Sequence, residues 1–177
     1  MVGSRWIYKV KHAADESVEK YKACFMAKGF SQKEGIDYEE TFAHAAKYSS
    51  IRTIISLAAK MGWRVHRMDV KTAFLNGVIE EEVYIEQPEG FDVENKETHV
   101  CKLHRALYGL KQAPRAWYSR IDNYLWEMGF QWSEADHNLY FLTTKVPLIL
   151  VLYVDDLFLT GDERLIGVCK SNLAVEF

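Results

Sequence analysis

Cysteine is scarce in this chain, and the three present (Cys24, Cys101, Cys169) are isolated and odd in number. That excludes a disulfide framework and a CxxC metal knuckle, and makes a reducing compartment the expectation. Long apolar runs are also missing. The longest, Leu148 to Val154, contains Tyr153 and stops at two aspartates, far short of a membrane span. Charges interrupt the stretch from Met1 to Lys11 before any apolar core develops, unlike a secretory leader. There is no GxxxxGK[ST] loop, no GxSxG elbow and no HExxH among the six histidines, so ATPase, serine-hydrolase and zincin readings have no support. Repeats, linkers and low-complexity tracts are absent. A net charge of −3 argues against a basic nucleic-acid coat protein. What remains is the composition of one folded soluble domain: 177 residues, 49% hydrophobic and 27% charged.

The charge is segregated. Residues 1–60 carry ten Lys/Arg against seven Asp/Glu, residues 61–100 four against nine, and residues 101–177 eight against nine. Lys102, Arg105, Lys111, Arg115 and Arg120 run without an intervening acid, interleaved with Tyr108, Trp117 and Tyr118. Such a pattern suits either a nucleic-acid track or one positive helix face over core aromatics.

Alternation predicts strands over Arg5–Lys11 and Tyr21–Lys28 joined by the polar loop 13–17, a ribbon rich in lysine. A helix capped by Ser49 or Ser50 should run to Gly62. Short strands follow at 64–70, 82–86 and 100–103. Pro114 suits the first turn of a second helix with Trp117, Ile121, Tyr124, Leu125 and Met128 on its buried stripe. Strands are expected at 139–143 and across a hairpin from Leu148 to Thr160 that turns on Asp155-Asp156. Asp162 should cap a last helix buried through Leu165, Ile166, Cys169 and Leu173. The irregular order of strands and helices favours an α+β sandwich with an antiparallel sheet.

Asp155-Asp156 is poor chemistry for a two-residue turn, which favours Asn-Gly or Asp-Gly. Asp69 ends another strand pattern between apolar Met68 and Val70. Adjacent strands would bring three carboxylates to one sheet end, a set suited to Mg²⁺ with its hard oxygen ligands. Two such ions can clamp an in-line phosphoryl displacement. Polymerases and nucleases share this arrangement, so the carboxylates alone do not choose between them.

Three blocks in order do choose. Met68-Asp69-Val70-Lys71-Thr72-Ala73-Phe74-Leu75-Asn76-Gly77, then Ala106-Leu107-Tyr108-Gly109-Leu110-Lys111-Gln112-Ala113-Pro114-Arg115-Ala116-Trp117-Tyr118, then Tyr153-Val154-Asp155-Asp156 resemble the reverse transcriptase domain of copia-type LTR retrotransposon polyproteins. The resemblance runs the length of the chain from Trp6. It implies a right-hand polymerase with an antiparallel sheet packed on helices, fingers at about 1–65 and 76–112, and palm at about 66–75 and 113–177. It implies catalysis by Asp69, Asp155 and Asp156, with two Mg²⁺ (or Mn²⁺) held by these and the Val70 backbone. Phe74 would exclude a ribose 2′-hydroxyl, Tyr108 and Gly109 would meet the nucleotide, and Lys22 and Lys28 the triphosphate. Tyr153, Gln112, Lys111 and Arg115 would contact nucleic acid. Implied partners are dNTPs and an RNA or DNA template with its primer, in a cytoplasmic virus-like particle.

The sequence departs from that family where Cys24 replaces an expected Arg, and where His44 and His137 replace prolines. It stops at Phe177, about one helix past the hairpin, with the thumb and RNase H segments of the family absent. The expectation is therefore an RNA-directed DNA polymerase domain impaired or inactive by itself. The alternative is a non-catalytic retroelement remnant with residual nucleic-acid binding.

Overall fold

A computed structural model describes residues 1–91, 93 and 99–177. Its centre is a five-stranded antiparallel sheet in which the strands at 65–69, 156–161, 148–153, 136–142 and 131–133 lie side by side in that order. The strands are β3 (Val65–Asp69), β6 (Gln131–Ser133), β7 (Asp136–Leu142), β8 (Leu148–Tyr153) and β9 (Asp156–Gly161). Central β8 reads Leu-Ile-Leu-Val-Leu-Tyr because both of its faces are covered. Leu148, Leu150 and Leu152 point to one side, with Leu157 and Leu159 of β9. There they meet Trp117, Ile121 and Leu125 of helix α2 (Ala113–Glu127) and Ile166, Cys169 and Leu173 of α3 (Glu163–Glu176). Ile149 and Val151 point the other way, toward Ile54 of α1 (Tyr48–Met61). The result is a sheet sandwiched between helices, mixed α and β, compatible with the expected domain class.

Outside the sheet, β1 (Ser4–His12) and β2 (Val18–Ala27) form a long ribbon, and β4 (Tyr84–Ile85) pairs with β5 (Cys101–Lys102). A second core beneath them joins Val2, Ala27, Val83, Ile85, Ala106 and Leu110. Part of the acidic stretch expected between β4 and β5 (92 and 94–98) lies outside the described residues.

Local chemistry explains most boundaries. Asp162 caps α3 by accepting from the Arg164 and Leu165 amides at 2.8 and 3.1 Å. Gly62 ends α1 in the left-handed region. Two expectations need correction. Helix α1 is not capped by Ser49 or Ser50, since it starts at Tyr48 with Lys47 at the N-cap and no side-chain cap from that residue. Asp136 of β7 serves from across the fold, accepting from the Lys47 amide at 2.9 Å. The β8–β9 turn is Val154-Asp155, one residue earlier than the alternation suggested, because Tyr153 pairs directly with Asp156. Asp156 is thus the first residue of β9.

Candidate active site

Antiparallel register does the assembling. Asp69 at the end of β3 is the cross-strand partner of Asp156 at the start of β9. The Val70 amide donates to the Asp155 carbonyl at 2.8 Å, extending that pairing one step into the turn. Asp69 and the tandem pair therefore share one end of the sheet. Asp69 and Asp155 are exposed, and Asp156 is half-buried.

Two β-branched residues flanking these acids adopt left-handed backbone: Thr72 at φ 55° and Val154 at φ 58°. Valine is ill suited to the first position of a tight hairpin turn with positive φ, which glycine favours. Trp117 of α2 holds it there. Its indole Nε1 donates to the Val154 carbonyl at 2.7 Å, from a ring almost wholly buried against the sheet. Trp117→Phe keeps one aromatic ring but loses the pyrrole half and leaves that carbonyl without its donor, so it should lower unfolding free energy by at least about 1–3 kcal/mol in urea titration. An unchanged midpoint would show that the turn holds itself.

Two of the expected site residues are aromatic rings in contact with each other. Phe74 sits in a short 3-10 turn (Ala73–Asn76) that follows Thr72. It packs on both the sheet core and the second core, and its ring centroid is 4.9 Å from that of Tyr108. Burial raises the Tyr108 hydroxyl above the usual tyrosine range, and Asp155, Cys24 and Asp69 add in the same direction. Cys24 is on the β1–β2 ribbon, opposite Ile7 and two residues from Lys22.

The loop carrying Tyr108 is seated by glycine. Ala27 donates its amide to the Tyr108 carbonyl at 2.8 Å, and Gly109 has φ 94°. A Cβ on Gly109 would stand 2.1 Å from the Ala27 carbonyl oxygen. Gly109→Ala should therefore cost about 2 kcal/mol or more and displace Tyr108. A thermal melt within about 1 °C of the parent would contradict that close approach.

The remaining expected site residues are more scattered. Lys22 is exposed on the ribbon, whereas the Lys28 side chain runs against Gly3 beside Glu86. Gln112 is only 2% exposed, its amide nitrogen donating to the Asp37 carbonyl at 2.8 Å and its oxygen accepting from Gln32 at 2.9 Å. In this conformation it ties the loop at 32–38 to the start of α2. Lys111 donates to the Tyr38 hydroxyl at 2.9 Å. Arg115 faces Glu40 at 3.9 Å in a groove shared with Glu39, Glu80 and Glu81. Tyr153 is on the sheet face turned to α1, where a hydrogen bond with Tyr48 pushes its hydroxyl upward.

Two residues matter here that the sequence reading passed over. Trp117 stands in the sequence as a core or interleaved aromatic with nothing to announce its bond to the turn, and Arg67 belongs to no motif. Arg67 binds Asp156 through Nε at 2.7 Å and Nη2 at 3.0 Å. Alternation was the available signal, since Arg67 and Asp69 must share a face of β3. The departures at His44 and His137 also prove to be neighbours, with Nε2 and Nδ1 separated by 3.4 Å.

Among the described residues, no three His, Cys, Asp or Glu side chains converge on a common metal position. Asp69 and Asp155 nevertheless suit Mg²⁺, which is commonly bound by one or two carboxylates together with substrate phosphates. None of the described helices is long and apolar enough to cross a membrane.

Comparison with known proteins gives the family. The family model described as reverse transcriptase (RNA-dependent DNA polymerase) matches residues 1–177. The retrovirus-related Pol polyprotein from transposon TNT 1-94 of Nicotiana tabacum is 46% identical over 176 residues, covering 98% of this chain and 13% of that protein. The corresponding polyprotein from transposon RE1 of Arabidopsis thaliana is 43% identical, covering 100% of this chain and 12% of its own length. A Ty1-NL2 Gag-Pol polyprotein of Saccharomyces cerevisiae is 29% identical over 78% of this chain and 8% of its own length. The chain thus spans about one eighth of the plant relatives it matches. No solved structure matches.

Proposed function

Because the chain belongs to the reverse transcriptase (RNA-dependent DNA polymerase) family, in its copia-type retrotransposon branch, we propose that it carries the nucleotidyl-transfer site of an RNA-directed DNA polymerase. In this reading the sheet with α2 and α3 is the palm (about 66–75 and 113–177), and the ribbon with the β4–β5 region forms the fingers. The reaction joins a primer 3′-hydroxyl to the α-phosphate of an incoming dNTP and releases pyrophosphate. The observation that carries the proposal is the pairing of Asp69 with the Asp155-Asp156 turn at one end of the sheet.

Asp69 and Asp155 would be the principal holders of two Mg²⁺ ions, with Asp156 as the third carboxylate and the Val70 backbone beside them. Bound there, such ions stabilise charge on the attacking and leaving oxygens of an in-line displacement. The chain's own residues do the rest. Val154, pinned by Trp117, fixes where the Asp155 carboxylate can point. Phe74 and Tyr108 form an apolar wall for the sugar and base, and Phe74 stands where a 2′-hydroxyl would collide. Lys22, exposed on the β1–β2 ribbon, offers an ammonium to the triphosphate. A nuclease has no need of such a nucleotide wall, which favours polymerase chemistry.

Capture of dTTP with Mg²⁺ tests the reading. The chain should bind it, and Asp155→Asn should weaken binding by about tenfold or more. Equal affinity in that variant would overturn the proposal, and retention of primer–template alone would support the non-catalytic alternative.

A further inference from the structure

A cation is already built into the acidic end of the sheet. Arg67 precedes Asp69 by two residues, so both project from the same face of β3. Its register partner is Phe158, which makes Asp156 its diagonal neighbour across the β3–β9 pair. The guanidinium grips both oxygens of Asp156, at 2.7 and 3.0 Å. A two-pronged contact of this kind fixes the plane of a carboxylate as well as its position. Its hydrogen bonds to Asp156 raise the Arg67 guanidinium above its ordinary value, with smaller pushes the same way from Asp69 and Asp155. The carboxylates that act on Tyr108 are Asp155 and Asp69. Of the three acids, Asp156 alone is held by hydrogen bonds from the guanidinium.

We propose that Arg67 is a positioning residue that holds Asp156 outside direct metal contact, leaves Asp69 and Asp155 as the direct ligands, and keeps divalent affinity low before substrate phosphates arrive. The inference rests on the reading of Asp69 and Asp155 as a metal site given above. A site made of two carboxylates and one opposing cation is incomplete without anionic substrate, which couples metal retention to nucleotide entry. Arg67 is largely exposed, so its repulsion of the ion is tempered by solvent.

The test uses Mn²⁺ alone, titrated into the 177-residue chain with free ion read by electron paramagnetic resonance. Arg67→Gln should tighten binding by about 3- to 10-fold, the effect of removing one charge at short range in a wet setting. Arg67→Lys keeps the charge and should stay within about 2-fold of the parent. Asp156→Asn added to Arg67→Gln should return most of the gain, because the released carboxylate is what joins the ion. Asp69→Asn should abolish binding in either background. Unchanged or weaker binding by Arg67→Gln, with Asp69→Asn still null, would overturn the role of Arg67 and leave the site standing. Full binding by Asp69→Asn would overturn the site itself. Circular dichroism confirms folding of each variant. If Arg67→Gln fails to fold, Arg67→Met carries the same expectation.

Discussion

Asp69→Asn is expected to cut RNA-templated nucleotide addition by about 10³-fold, or about 4 kcal/mol of barrier. The measurement is single-turnover primer extension by a polypeptide that includes this chain and extends with the parental sequence. The size of the loss follows from position. Asp69 is exposed at a strand end and has no structural duty comparable to that of Asp136, whose carboxylate anchors α1. Its replacement by an isosteric amide removes charge without opening a cavity. The fold should therefore melt within a few degrees of the parent while the chemistry disappears. Loss of activity accompanied by global unfolding would reassign Asp69 to stability, and a loss smaller than about tenfold would remove it from the reacting centre.

Phe74→Val should reduce preference for dNTP over rNTP by about 10-fold or more, since a pocket discriminates by what it excludes as much as by what it binds. The ring has a second function. It packs on both cores and touches Tyr108, so truncation should also cost stability, of the order of 1–3 kcal/mol. The two effects separate cleanly, because a ratio of incorporation rates measured on one enzyme preparation is insensitive to the folded fraction. If the ratio stays unchanged while stability falls, Phe74 is a core aromatic and nothing more.

Much of the sheet could be read from the sequence because its strands obey local rules. The all-apolar run at 148–152 announces a strand covered on both faces, and Asp162 sits at the start of α3 as an N-cap should. What escaped was tertiary. The cap on α1 comes from Asp136, 89 residues away, in place of a local serine. Short β6 has no period long enough to detect. The hairpin turn fell on Val154-Asp155 because the strands continue pairing to Tyr153–Asp156, and a β-branched residue then occupies a position that local preference assigns to glycine. That strain is sustained by Trp117 and is the kind of local exception that accompanies functional sites.

The candidate site was legible in the same uneven way. The three acids could be paired by strand reasoning, and the pairing at Asp69–Asp156 accords with it. The grip of Arg67 on Asp156 depends on diagonal reach across two strands, which requires a register that the sequence does not state. The resemblance implies a nucleic-acid contact at Gln112, and the bonds of its amide to Asp37 and Gln32 beneath the surface have no signal in the sequence. The contact of His44 with His137, 93 residues apart, had no sequence signal at all.

Crystals of the chain grown with Mn²⁺ and a dNTP test the shared pocket most directly, through anomalous scattering from the metal. A peak within bonding reach of both the Asp69 and Asp155 carboxylates, under the Phe74–Tyr108 rings, is the predicted result. Manganese bound elsewhere, with those two carboxylates free of it, would contradict the account.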